Sequence, residues 1–500
     1  MTPHPESPAT VSPHYGLRHW AGWLLGPGAL LLTLLLPPPE GLSVAGWHTA
    51  GVAMLMATFW ICESIPLPAT ALLPLVLFPL LNLGSVQESA APYANPIIYL
   101  FLGGFIIALA MQRWNLHRRF AINLIGIMGA RPSRIIAGFL LASAALSMWV
   151  SNTATAMMML PIALSVVQLL PREAANNPGS KAFGTALLLA VAYGATTGGM
   201  GTLIGTPPNA LLAAYLSKVY NVTIGFGQWM LIGVPVVLVT LPVVHFVLTR
   251  FSFKLDRDEV PGMTALITTE KARLGPFSGG ERAVLIVFLL TALGWIFQPL
   301  LARMLPMITD TTIAIGGALL LFMIPLSRRG DFVMNWDATK AIPWEVLLLF
   351  GGGLSLSGNI QKHGLSEYLG DLSGALHGVP MLLTLCLVCF GILMLTELTS
   401  NTATAATFLP IVAAIAISLG QNPLLFLIPT ALAANCSFMM PVGTPPNAIV
   451  FGSGQITLPQ MAKAGLWLNI ILVPIIVGLV LLLGPIVFGI QFDTLPSWAK

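Results

Sequence analysis

The chain has 500 residues, 56% of them hydrophobic and only 8% charged, with a mean hydropathy of +0.86 and a net charge of +4. Soluble domains carry about 25% charged residues, so the shortfall excludes a soluble protein and points to an all-α polytopic membrane protein. The basic residues are scattered, which leaves no patch for a nucleic-acid partner.

Residues 1–21 open with MTPHPESPATVSPHYGLRHW, which has neither the basic start nor the cleavage site of a secretory signal. They are expected to form a cytoplasmic tail. Apolar stretches of bilayer length follow at 22–37, 46–63, 66–83 and 96–112. The stretch RWNLHRRFAINLIGIMGARPSR, residues 113–134, is basic and has apolar positions at helical spacing. It is expected to lie along the cytoplasmic interface with its arginines facing headgroups. A broken region at 134–170 predicts a re-entrant hairpin, and 183–217 a helix interrupted near 205; a span at 228–249 completes a first half, 22–249.

Residues 250–282 mix both charge signs with Pro261, Gly262 and Pro276 and predict a cytoplasmic linker. The second half, 283–500, has spans at 283–303, 311–327 and 343–360. Residues 361–378 are expected to lie on the outer surface. A second hairpin at 379–419, a helix at 423–451 broken near 443, and a span at 464–490 follow. The total is about eleven transmembrane helices, two re-entrant hairpins and two broken helices. With the N-terminus inside, 18 of the 22 Lys and Arg are cytoplasmic, and only Lys218, Arg303, Lys362 and Lys500 are outside. The positive-inside rule therefore predicts N-in and C-out in a plasma (inner) membrane.

The halves repeat one another. YLFLGGFIIALA (99–110), SNTATA (151–156) and GTPPNA (205–210) return in order as LLLFGGGLSLSG (347–358), SNTATA (400–405) and GTPPNA (443–448). Five crossings separate corresponding points, an odd number, so the second half is inverted. Inverted repeats with broken helices meeting at the midplane characterise secondary transporters.

The residue chemistry fits that role. Ser, Asn and Thr at a hairpin tip cap the following helix and offer neutral polar groups, and the helix N-terminus behind them favours anions. Two tips suit two carboxylates. In G-T-P-P-N the prolines remove N–H donors and interrupt the helix, so that carbonyls and Asn side-chain oxygens become hard ligands for a small cation such as sodium. The alternative, that both phrases only cap and kink helices, loses force because both are duplicated at corresponding places.

Other residues carry less. Glu397 either binds a proton, tunes the cation site, or pairs with backbone donors in its hairpin; Glu63 reads as structural or interfacial. Cys62, Cys386, Cys389 and Cys436 read as buried hydrophobes and the 21 methionines as packing. There is no HExxH pair and no GxxxxGK[ST] loop, so neither an enzyme nor an ATP-driven pump has support.

The two SNT phrases, the two TPPN breaks and WICESIPLPATALLPLVLFPLL (60–81) resemble the divalent anion/sodium symporter family, which imports di- and tricarboxylates and, in some branches, sulfate. The resemblance covers nearly the whole chain. It implies a homodimer whose transport domain, carrying hairpins and broken helices from both halves, moves elevator-fashion against a scaffold domain. It implies substrate contacts from Ser151, Asn152, Thr153, Ser400, Asn401 and Thr402, with Thr206, Pro207, Thr444 and Pro445 nearby. One sodium site would use Ser147, Ser151, Asn152 and Gly205, the other Thr396, Thr399, Asn401 and Gly443; no organic cofactor is implied. The expected activity is sodium-coupled import of C4-dicarboxylates (succinate, malate, fumarate) by alternating access. Alternatives are a sodium-independent exchanger of the same fold, a citrate or sulfate symporter, an anion channel, or a cation/proton antiporter.

Overall fold

The computed structural model describes residues 16–170, 178–255, 258–326, 331–372, 374 and 378–499. Most of the expected tail, and Arg172, Arg257, Arg328, Arg329 and Lys500 of the charge count, lie outside these. Among the described residues the chain is helical throughout, apart from one isolated bridge between Pro325 and Phe332. Seven helices among them are long and apolar enough to cross a membrane, from Val44–Cys62 to Leu458–Phe488.

Most expected spans correspond to helices. Leu17–Leu35, Val44–Cys62, Pro96–Arg113, Phe226–Phe246, Gly279–Ile296, Asp310–Met323, Trp344–Lys362 and Leu458–Phe488 fall where apolar runs predict them. The stretch 66–83 is different: it divides into Leu67–Thr70 and Leu73–Leu80. Pro68 and Pro74 sit at the starts of these pieces, positions where a missing N–H costs nothing, so hydropathy alone reads through the break.

The two predicted hairpins are pairs of helices joined by short turns. Pro132–Ser147 packs against Asn152–Val167, and Met381–Thr396 against Asn401–Ser418. A 16-residue arm such as Pro132–Ser147 is roughly 24 Å long, short of the ~30 Å hydrocarbon core. Next to each hairpin lies a helix buried on nearly every side. Pro178–Gly199 is one; Pro423–Ala434, all 12 of whose residues are buried, is the other. Each stops inside the protein, and chain resumes as helix only at Pro207 and Pro445. The resumed helix crosses over: Pro207–Tyr220 packs on Asn401–Ser418, and Pro445–Phe451 on Asn152–Val167.

The helix Leu116–Met128 confirms the amphipathic reading of 113–134 but corrects its partners. Arg118 and Arg119 pair with carboxylates rather than standing free for headgroups. Arg118 Nη2 lies 2.6 Å from Glu270 Oε2 and Arg119 Nε 2.7 Å from Glu281 Oε1. Both acids are nearly buried, with side chains 8% and 5% exposed. Glu270 stands on Met263–Leu274 of the linker, and Glu281 closes the capping box with Ser278 that starts Gly279–Ile296. Sequence spacing could not reveal this, because the partners are more than 150 positions apart. Glu63 is likewise structural: it ends Val44–Cys62 in the left-handed conformation and lies 3.5 Å from Arg18.

Removing one partner of a buried pair strands the other charge. Arg119→Ala is expected to destabilise the protein by roughly 3 kcal/mol. Arg119→Met with Glu281→Gln, which keeps the capping box, should recover part of that loss in thermal denaturation.

Candidate functional site

The turn Met148–Ser151 returns the chain so that Asn152 begins the second arm with its amide beside the first. Ser147 Oγ donates to the Asn152 side-chain oxygen at 2.5 Å. That same oxygen stands 3.2 Å from the Ala195 carbonyl and 3.3 Å from the Gly205 carbonyl. The second half repeats this. Thr396 Oγ1 is 2.8 Å from the Asn401 side-chain oxygen, which lies 3.3 Å from the Ala434 carbonyl and 3.1 Å from that of Gly443. Oxygens so close repel unless something positive lies among them. Either the amide turns its NH2 into the cluster or a cation sits there. Hard cations take oxygens at about 2.3–2.6 Å, which places neighbouring ligands of an octahedral ion roughly 3.4 Å apart. The carbonyls stand near that spacing from each amide, whereas the hydroxyls at 2.5 and 2.8 Å are at hydrogen-bond distance; carbonyl and hydroxyl oxygens are nonetheless the kind of donor a sodium ion takes.

The structure brings Ser147, Asn152 and Gly205 into one cluster and Thr396, Asn401 and Gly443 into the other. Gly205 has no room for a side chain, since a Cβ would run into the Gly199 backbone; at Gly443 it would run into Ser437 Oγ. Ser151 caps its helix, accepting from Ala154 N at 3.3 Å, whereas Ser400 makes no side-chain cap. Thr399 turns away: its hydroxyl donates to Leu395 O at 2.9 Å and lies 2.6 Å from Thr404 Oγ1. Thr153 and Thr402 sit one residue inside the two helix starts, and Thr206 and Thr444 precede the helices that open with Pro207 and Pro445.

The asparagines of GTPPN differ from expectation. Asn209 Nδ2 donates to the carbonyls of Gly199, Met200 and Thr202, the last at 2.8 Å. Asn447 Nδ2 donates to those of Ser437 and Met440. Each therefore closes carbonyls freed by its own break with its NH2; the Asn209 oxygen accepts from Asn435, and the Asn447 oxygen has no partner among the described residues.

Glu397 pairs with backbone donors, but of the second break rather than of its hairpin. Its carboxylate accepts from the N–H groups of Phe438, Met439 and Met440, from Ser437 Oγ, and from Asn469 Nδ2 at 2.7 Å. The other side of that segment is held from the first half, where Tyr193 Oη donates to Phe438 O at 2.7 Å. Met148 occupies the corresponding place in the first half, and there Thr202 Oγ1 donates to Met148 O at 2.5 Å. Tyr193, Asn435 and Asn469 escape sequence reading because the repeated phrases do not include them.

The family described as the sodium:sulfate symporter transmembrane region matches residues 18–490. The chain belongs to this family. A sodium-dependent dicarboxylate transporter SdcS of Staphylococcus saprophyticus is 43% identical over 95% of this chain and 93% of its own length. The SdcS of Staphylococcus aureus strain USA300 is 42% identical over 94% and 92%. Two solved structures share the fold at low identity. MtrF of Neisseria gonorrhoeae, titled an antimetabolite efflux pump, has a TM-score of 0.54 at 11% identity, covering 94% of this chain and 95% of its own. The YdaH transporter of Alcanivorax borkumensis has a TM-score of 0.51 at 15% identity, covering 80% and 87%. The resemblance read from the SNT and TPPN phrases is thus correct. The family is one of transport proteins, in line with the expectation that the chain is no enzyme.

Each donor left unpaired in a buried site costs about 1–3 kcal/mol. Glu397→Ala is therefore expected to lower the melting temperature far more than Met148→Ala at the corresponding position, with Glu397→Gln intermediate.

Proposed function

We propose that this chain is a sodium-coupled importer of C4-dicarboxylates such as succinate, malate and fumarate. The observation that carries the reading is the pair of oxygen clusters, at Asn152 and at Asn401, one in each half. Each is built from a hairpin tip, the end of a buried helix and the glycine of a break. A cation in each would place two positive charges behind the tips without any lysine or arginine among the site residues. Relatives named as sodium-dependent dicarboxylate transporters support the choice of ions and anion.

In this mechanism sodium binds first. Ser147, Ser151, Asn152 and Gly205 hold one ion, and Thr396, Asn401 and Gly443 hold the other, Thr399 bracing its turn. The ions fix the tips, and the helix starts at Ser151–Thr153 and Ser400–Thr402 then accept one carboxylate each, flanked by Thr206–Pro207 and Thr444–Pro445. The loaded hairpins and broken helices move elevator-fashion across the membrane, as one protomer of a homodimer with its N-terminus inside and C-terminus outside. Sulfate is a second reading, favoured by the description of the family; a single compact anion would bridge both tips.

Thermal stabilisation of the purified protein by succinate, malate, fumarate, citrate and sulfate, in sodium or choline, tests this. C4-dicarboxylates should stabilise only in sodium. Asn152→Ala and Asn401→Ala should each weaken both the sodium and the anion effects at least about tenfold, the loss expected for a hydrogen bond to a charged group. Full stabilisation by both ligands in both variants, or uptake at full rate into sodium-free vesicles, would overturn the proposal.

A further inference from the structure

Beyond the repeated phrases, one buried residue breaks the symmetry between the halves. Asn435 follows the helix Pro423–Ala434 and is fully buried. Its hydrogen bonds settle the direction of a chain of protons. Asn209 Nδ2 is surrounded by three backbone carbonyls, so its side-chain oxygen must face the other way, toward Asn435. Asn435 Nδ2 donates to that oxygen at 3.0 Å and to Ala431 O at 2.9 Å. The Asn435 oxygen therefore points at Thr206, whose hydroxyl donates to it at 2.6 Å. Thr206 has spent its only proton inside the protein.

The second half has no such chain. Thr444 matches Thr206 in backbone, with φ and ψ of −151° and 144° against −153° and 144°. Yet its hydroxyl makes no hydrogen bond with a described residue, and the buried side-chain oxygen of Asn447 has no partner among them either. The offset of 238 between the GTPPN phrases puts Thr197 in the place of Asn435, and matching Ala195 to Ala434 puts Thr196 there. Both threonine hydroxyls are buried without a partner among the described residues, and a threonine is too short to do what Asn435 does.

We infer that Asn435 is a positioning residue that makes the two ends of the anion site chemically unlike. By taking the Thr206 proton it leaves Thr444 as the hydroxyl donor of the two GTPPN breaks, so a carboxylate is held by a hydroxyl at the second-half end only. At the first-half end the Thr206 hydroxyl, already donating to Asn435, has no proton to offer a carboxylate. This rests on the dicarboxylate reading above.

The test uses the full chain in detergent, with succinate affinity measured at saturating sodium and melting temperature alongside. Thr444→Val should weaken succinate binding at least about tenfold, and Thr444→Ser should restore it. Thr206→Val should weaken succinate binding at least about threefold less than Thr444→Val does, while lowering the melting temperature. Asn435→Ala should lower the melting temperature likewise, and the double variant with Thr206→Val should cost no more than the costlier single one, because both remove one shared hydrogen bond. Where a valine variant does not fold, the alanine variants at 206 and 444 make the same comparison. Thr206→Val as damaging to succinate binding as Thr444→Val, or fully additive stability losses, would overturn this inference alone. No succinate response in the unmodified chain would overturn the transport reading, and this inference with it.

Discussion

A helix that stops inside a membrane protein frees backbone groups that no water reaches, and each must find a partner within the fold. Here one kind of side chain meets that demand in both halves. Asn209 and Asn447, the last residues of T-P-P-N, each turn an amide NH2 back onto the carbonyls of their own break. Trp229 adds a donor to Met200 O at 3.1 Å, and Glu397 collects the N–H groups of the second break. With those groups closed, the carbonyls of Ala195 and Gly205 in one half, and of Ala434 and Gly443 in the other, are the ones aimed at the tip asparagines. The oxygen clusters at the two tips are what remains after the break has been made tolerable.

That arrangement explains why the site lacks fixed positive charge. A lysine or arginine at bilayer depth costs at least about 2.5–3.5 kcal/mol on insertion scales, and it would hold an anion as firmly on one side of the membrane as on the other. On the proposed reading the positive charge arrives with the cargo and leaves with it. Anion affinity then follows the sodium gradient with no residue changing its protonation. The repeated phrases give each cluster its own tip and its own break, while the resumed helices each pack onto the opposite hairpin.

Much of this was legible in the sequence because it is carried by local rules. Apolar length marks spans, Pro-Pro marks a break, and an exact six-residue repeat marks corresponding places. What escaped was set by distant partners. Arg118 and Arg119 looked like headgroup anchors because their acids lie in the linker and the next span. The stretch 66–83 looked continuous because hydropathy is blind to where a proline sits within a helix. The asparagines of GTPPN looked like cation ligands because their oxygens are hard; only the fold shows that their NH2 groups are needed first, for the carbonyls the prolines set free.

The departure from symmetry at Asn435 follows from the same constraint. The two halves share a local problem, the helix break, and so share the local phrases that solve it. They do not share neighbours. The segment after Pro423–Ala434 lies against Tyr193, Thr206 and Asn209 of the first half, and Asn435 ties it to the latter two. The segment after Pro178–Gly199 accepts from Trp229 of its own half at Met200 O, its Thr202 donates to Met148 O, and it meets the second half through Thr206. A side chain on one segment can thus serve both breaks at once, and its counterpart cannot. The oxygen clusters, built from the repeated phrases and the buried helices beside them, keep their likeness; on the proposed reading the anion's surroundings, built partly from residues outside those phrases, do not. A ligand with two equivalent ends would then meet unlike ends in its carrier.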